Sequence, residues 1–267
     1  MKIQLKSDLH FEFSKYKTRI HDPSTPNEIY LNPEADVLVL AGDIDVSLDG
    51  DIYSGIEGSI DYIKRKFENI KIPILYVPGN HEYYSKTNTF EETYKKLEEG
   101  FIGSNITLLN PGYQIIDDVL FIGATLWTNL SNPIDAGIVR FMGEVRDIIP
   151  GFTEEDWHTR HIKDLQFIKD HLSFDQFRGY KKVVITHYLP SPESVPERFK
   201  RMSENVAFVN YLEEILYSDD APEWWMHGHT HDSCFYKKGN TNVICNPFGY
   251  FGGVINSKYD PKLIIEV

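Results

Sequence analysis

Apolar residues along this chain fall into short runs that alternate with amphipathic stretches. Val37–Ala41, Ile74–Val77, Val183–Thr186 and Trp224–Met226 are continuous apolar runs of strand length, the pattern of strands covered on both faces. Ile3 and Leu5 alternate with polar neighbours and predict a further strand at the start. Helical stripes lie between the runs. Phe90, Tyr94, Leu97 and Phe101 share one face, with Glu91/Lys95 and Glu92/Lys96 paired on the other. Trp157, His161, Leu165, Ile168 and Leu172 predict a second helix, and Val206, Val209, Leu212 and Ile215 a third. Residues 112–128 predict a hairpin turning at Asp117-Asp118, with residues 119–126 as the returning strand. Residues 242–245 and 263–267 read as strands again. Strands alternating with helices predict an α/β layered fold, and the hairpins add a mixed sheet or two packed sheets. No repeat, low-complexity tract or linker divides the 267 residues, which predicts one domain over 1–267. The longest loops are residues 45–58 and 189–204, a length usual for functional segments.

Composition narrows the function classes. No apolar run approaches the roughly 18 residues of a membrane span, and the opening MKIQLKSDLH lacks the apolar stretch of a signal peptide. The expected location is therefore cytoplasmic, with no membrane partner. Cys234 and Cys245 are the only cysteines, too few for a disulfide framework and without the spacing of a zinc-thiolate site. They read as reduced strand residues. The formal charge of -13 disfavours general binding to a nucleic-acid backbone. Bound cations would neutralise some of the acids, so that charge does not describe a metal site itself.

The chemistry sits where the apolar runs end. Ile3 and Leu5 lead to Asp8-Leu9-His10, and Leu38–Ala41 to Gly42-Asp43. Leu75–Pro78 leads to Gly79-Asn80-His81-Glu82, Val183–Thr186 to His187, and Trp224–Met226 to His227-Gly228-His229-Thr230-His231. In open α/β sheets the ligand crevice lies at the carboxyl ends of the strands, so five motifs at five strand ends converge on one place. Asp8 and His10 are two apart, as are His229 and His231, and extended backbone at each pair would project both side chains to one side. Gly42, Gly79 and Gly228 permit sharp turns and close backbone approach. Imidazole with carboxylate and amide oxygen suits borderline divalent ions such as Mn²⁺, Zn²⁺ or Fe²⁺.

The ordered set Asp8-x-His10, Gly42-Asp43, Gly79-Asn80-His81-Glu82, His187 and Gly228-His229-x-His231 resembles the calcineurin-like metallophosphoesterase superfamily. The match runs from residue 8 to residue 231. The stretches Ser7–Phe13 and Cys245–Tyr250 are similar to a small bacterial and phage branch of it. The resemblance implies two packed mixed β-sheets flanked by helices, a four-layer αββα sandwich. It implies one metal held by Asp8, His10 and His231 and a second held by Asn80, His187 and His229, with Asp43 bridging them. Mn²⁺ leads among the implied ions, with Fe, Zn, Ni and Mg as other candidates. Two such cations lower the pKa of a shared water and clamp the oxygens of an in-line displacement at phosphorus. His81, off the metals, would protonate the leaving oxygen as general acid.

One departure bears on substrate. Protein phosphatases of this superfamily continue Gly-Asp into a stretch ending Asp-Arg-Gly, whereas this chain continues Gly42-Asp43-Ile44-Asp45-Val46 with no arginine. A phosphoprotein substrate is disfavoured, and a diester or small nucleotide-like ester fits better. Tyr83, Tyr84 and Tyr188 are the aromatics best placed to stack a nucleobase. Phe11, Phe13, Trp127, Phe248, Tyr250 and Phe251 read as core. Arg198, in the run Arg198-Phe199-Lys200-Arg201, would meet substrate phosphate if residues 189–204 form a lid. His21, His158, His161 and His171 read as core or supporting residues, and His227 as a buried neighbour of the ligands. The expected function is a phosphodiesterase or phosphatase on a small phosphoester. A nuclease acting on short single strands is the enzymatic alternative, and a scaffold that lost its chemistry is the non-enzymatic one. Retention of every motif position argues against the scaffold.

Overall fold

The computed structural model describes residues 1–14, 29–46 and 55–267. Its strands are β1 (Lys2–Lys6), β2 (Val37–Ala41), β3 (Ile74–Val77), β4 (Ile106–Leu108), β5 (Gly112–Ile116), β6 (Val119–Ala124), β7 (Lys181–Thr186), β8 (Trp224–His227), β9 (Cys234–Lys238), β10 (Thr241–Cys245) and β11 (Ile264–Glu266). The helices are α1 (Phe11–Ser14), α2 (Gly55–Phe67), α3 (Phe90–Gly100), α4 (Pro133–Val139), α5 (Glu154–Ser173) and α6 (Glu213–Leu216). One sheet has the order β11-β1-β2-β3-β4 and the other β5-β6-β7-β8-β10-β9. Each is parallel through its middle and antiparallel at an edge: β1 with β11, β5 with β6, and β10 with β9.

The continuous apolar strands are explained by the layers on either side of them. Ile3, Leu5, Val39, Leu75 and Val77 face inward against Phe121, Val183, Ile185 and Met226 of the second sheet. Their neighbours Leu38, Leu40, Ile74 and Tyr76 face outward against Ile56, Ile60, Phe67, Phe90 and Leu97 of α2 and α3. On the far side Leu120, Ile122, Val184 and Trp225 meet Ile168 and Leu172 of α5. The fold is therefore two mixed sheets flanked by helices. Truncating one of these inward side chains to alanine would cost about 2–5 kcal/mol, because the rigid layers cannot close on the cavity. Capping boxes start α3 and α5: Thr89 exchanges bonds with Glu92, and Thr153 with Asp156. Each is worth about 1 kcal/mol.

Three expectations change. Glu91 pairs with Arg160 and Glu92 closes its cap, while Lys95 meets Glu99 and Lys96 meets Glu57. The pairs drawn from spacing thus give way to other partners, tertiary for Glu91 and Lys96 and local for Glu92 and Lys95. Val206, Val209, Leu212 and Ile215 do not share a helix. Residues 203–207 form a 3₁₀ turn and only Glu213–Leu216 is α-helical. The backbone there bonds across the molecule instead, Leu189 N–H to Phe208 O at 3.2 Å and Asn210 N–H to Leu189 O at 2.8 Å. Residues 189–204 carry further 3₁₀ turns at Pro192–Ser194 and Glu197–Phe199. The other long loop gives way to helix at Gly55, and its residues 47–54, like His21, lie outside the described residues. No helix among the described residues is long and apolar enough to cross a membrane.

Candidate metal centre

Strands β1, β2 and β3 of the first sheet and β7 and β8 of the second end on one cleft, and each delivers its motif there. The delivery is not by strand alternation. Asp8, His10, Asp43, His229 and His231 all have left-handed backbone, with φ of 51°, 45°, 52°, 75° and 51°. Extended backbone at Asp8–His10 and at His229–His231 is thus corrected: sharp left-handed bends turn both side chains of each pair inward. Such a conformation costs about 1–3 kcal/mol per residue and persists where surrounding contacts enforce it. Those contacts are visible. Asp8 N–H and His10 N–H donate to Gly42 O and Asp43 O, and Gly249 N–H donates to Asp8 O. Gly42, at φ +86°, has room for no side chain, since a Cβ there would lie 2.2 Å from His187 Nδ1. At Gly79 a Cβ would lie 2.2 Å from Asp43 Oδ1.

Two groups of lone pairs result. In the first, Asp8, His10, Asp43 and His231 each present a donor atom. His10 Nε2 lies 3.0 Å from His231 Nε2, and His231 Nε2 lies 3.3 Å from Asp8 Oδ1. His10 Nδ1 donates to Glu12 Oε1 at 2.9 Å, which leaves Nε2 of the neutral ring as a bare lone pair. In the second group, His187 Nε2 stands 3.3 Å from Asp43 Oδ1, 3.1 Å from Asn80 Oδ1 and 3.1 Å from His229 Nδ1. His187 Nδ1 donates to Ala41 O at 3.0 Å, so its Nε2 is likewise free of a ring proton in the neutral form. Asn80 Nδ2 donates to Tyr84 OH and to Glu144 Oε1, which turns the amide oxygen into the group. Asp43 belongs to both groups, one oxygen toward His187 and the other 3.8 Å from His10 Nε2. Acceptor facing acceptor at hydrogen-bond distance is stable only with a proton or a cation between them. Each group is therefore a donor set that could hold a divalent ion, and Asp43 belongs to both.

The electrostatics agree. Burial would push Asp43 up, but His187 and His81 beside it hold its carboxyl well below the usual range. Burial would lower His187, yet Asp43 and Asp8 outweigh it and raise that imidazole to about 9. Burial, with His187 alongside, holds His229 well below its ordinary value, so its ring stays neutral and able to ligate. A centre that draws protons this strongly onto imidazole draws cations to the same lone pairs.

His81 stands beside both groups. Its Nδ1 lies 3.2 Å from Glu12 Oε1, its N–H donates to Asp43 Oδ1 at 3.0 Å, and its Nε2 is 3.9 Å from Asp43 Oδ2. Glu12 thus holds His10 and His81 through one oxygen. Burial would raise Glu12, but those two rings draw its carboxyl down to about 2. Sequence reasoning passed over Glu12, although Asp8-x-His10-x-Glu12 contained the signal. Glu82 stood in the quoted motif without a role, and its carboxylate accepts N–H from Gly79, Asp43, Ile44 and Asp45 and so knits two motif loops together. Glu144 lies 64 residues from Asn80 and left no local signal. Tyr250, expected in the core, packs its ring 4.5 Å from His10 and 4.4 Å from His231.

The cleft over the centre holds about 370 Å³ and is lined by Asp43, Asn80, His81, Tyr84, Glu144 and Arg198 among others. Tyr83 is a correction. It is fully buried, stacked on Phe90 at 4.1 Å, with its hydroxyl accepting from Asn110, and offers no face to a ligand. Tyr188 lines the cleft but is buried, its ring packed at a tilt against Trp127 at 5.2 Å and His229 at 4.4 Å. Tyr84 lies over His81 at 4.4 Å. Arg198 reaches the cleft wall in a two-pronged ion pair with Asp232. Three further described histidines are structural: His161 Nδ1 bonds Trp127 O and His171 Nδ1 bonds Phe167 O, while His158 Nδ1 accepts from Leu130 N–H. His227 is buried, bonded to Ser194 and to Gly228 O.

Comparison with known proteins places this arrangement. An uncharacterized protein of Acanthamoeba polyphaga mimivirus, L509, is 26% identical over 273 residues, covering 91% of this chain and 89% of that one. The crystal structure of phosphopantetheinyl hydrolase from Mycobacterium tuberculosis superimposes with a TM-score of 0.66 at 15% identity, covering 93% of this chain and 89% of that one. The likeness to that hydrolase is one of fold. Residues 1–233 match the calcineurin-like phosphoesterase family, and the chain belongs to that family.

Proposed function

We propose that this chain hydrolyses small phosphoesters with two divalent ions. Asp8, His10 and His231 hold one, Asn80, His187 and His229 hold the other, and Asp43 reaches both. The observation that carries the reading is the pair of bare lone-pair groups joined at Asp43. When bound, the ions lower the pKa of an attacking water and offset charge developing on the phosphoryl oxygens. Mn²⁺ is the proposed metal, since imidazole, carboxylate and amide oxygen together suit borderline ions.

His81 is the general acid in this reading. Its Nδ1–H is committed to Glu12, which orients the ring and leaves Nε2 as the atom that delivers a proton to the leaving oxygen. Burial opposes the charged ring, yet Asp43 and Glu12 raise it to about 9, so the proton is present at neutral pH. Bound cations beside Asp43 would bring that value back toward neutrality. Arg198 is the only lysine or arginine among the described residues lining the cleft, and Asp232 already occupies it. So few cations favour a singly charged diester over a doubly charged monoester. The test is metal content together with hydrolysis of bis(4-nitrophenyl) phosphate, in wild type and Asp43→Ala. Loss of both metals with an unchanged rate would overturn the mechanism.

A further inference from the structure

A second cavity, of about 200 Å³, opens beside the cleft. It is walled by Leu189, Val195, Pro196, Phe199, Met202 and Phe208 and shares His229 and Thr230 with the cleft. We propose that it is a subsite for an apolar, aryl-sized substituent of the ester, an inference that rests on the hydrolytic reading above.

Three observations converge. The first is position. His229 presents Nδ1 to the lone-pair group, and its ring also forms the cavity wall, packed 4.6 Å from Phe208. An ester seated at the centre therefore has a substituent about one imidazole width from the cavity. The second is size. An apolar cavity of roughly 150 Å³ takes benzene, so this volume admits one ring or a short branched chain. The third is chemistry. Most polar side chains at the cavity are already engaged: Asn205 Nδ2 donates to Phe199 O, the Thr230 hydroxyl donates to Asp232 O, and Glu204 accepts from Ser203, while His229 Nε2 is buried without a partner. A nucleobase edge would find few partners there, whereas an apolar ring breaks no existing hydrogen bond. The wall is tied to residues 208–212 by main-chain bonds, Leu189 N–H to Phe208 O, Asn210 N–H to Leu189 O and Leu212 N–H to Pro190 O.

The probes are methylphosphonate and phenylphosphonate, which resist hydrolysis, titrated calorimetrically into the Mn²⁺-loaded protein. The expected result is that phenylphosphonate binds about tenfold or more tightly, as burial of one aryl group implies. Met202→Asp and Val195→Thr, on different walls, should each shrink that ratio several-fold, so a folding failure in one leaves the other informative. Equal affinity for the two probes, or tighter binding of adenosine monophosphate than of phenylphosphonate, overturns the subsite. Bis(4-nitrophenyl) phosphate hydrolysis, run in parallel, separates the two proposals. Hydrolysis without phenyl preference removes the subsite and keeps the reaction. Phenyl preference without hydrolysis of any ester removes the reaction and keeps the subsite.

Discussion

The two halves of the centre are held by different means. Around His187 the ring is held by main chain, Ala41 O, while the side chains of Tyr84 and Glu144 fix the neighbouring Asn80 amide. Around His10 the support is one charged side chain, Glu12, on a four-residue helix, and that carboxylate also holds His81. Basicity does not follow the orienting group: burial is outweighed by Asp43 and Asp8 at His187, which rises to about 9, whereas at His10 burial outweighs Glu12 and lowers the ring. The first half is built for rigid placement. The second is tied electrically to the proposed proton donor.

The change that breaks both halves together is Asp43→Ala. It should release both ions and lower the hydrolytic rate about 10³-fold or more, several kcal/mol at 1.36 kcal/mol per decade. Metal analysis alongside rates checks it. His81→Ala should spare both halves, retaining the metals, yet slow esters with poor leaving groups about 10²–10⁴-fold. Nitrophenyl esters should lose far less, and an equal loss on both would remove its role as acid.

Glu12→Gln separates the halves, since glutamine keeps the accepting oxygen but removes the charge beside His10 and His81. Affinity at the His10 side should fall about 10–100-fold, and that at the His187 side should hold. Stepwise metal titration distinguishes them. The same variant has a signature in the metal-free protein. Glu12 titrates near 2 when folded, below its ordinary value of 4.5. Its stabilisation is therefore present above about pH 4.5 and is lost as pH falls toward 2. Denaturation curves of the metal-free wild type and variant should converge over that window. Tyr84→Phe should be the mildest change, because Glu144 keeps its bond to Asn80 Nδ2. A loss of up to about tenfold in affinity on the His187 side is expected, and the other side should not respond.

The asymmetry also explains what could be read in advance. Strands buried on both faces leave continuous apolar runs, and motifs at the ends of such runs are visible one at a time. Asp8, His10, Asp43, Asn80, His81, His187, His229 and His231 were legible in that way, and the structure brings them to one cleft. Supports that lie far off in sequence were not. Glu144 reaches Asn80 from 64 residues away, and Glu82 acts by accepting four backbone N–H groups that no side-chain pattern reveals. Tyr83 shows the converse. Adjacency to a motif made it a candidate for substrate contact, but the 3₁₀ turn at His81–Tyr83 points it into the core.

The sequence by itself determined the layered α/β plan and the chemistry of the donor set, because periodicity and residue type are local properties. Tertiary structure decided the left-handed bends at five candidate ligands, the sharing of Asp43 between two groups, and the 3₁₀ segment that walls an apolar cavity beside them. Each of these depends on contacts between distant parts of the chain. A strained φ or an unmade helix survives only when such contacts outweigh the local preference.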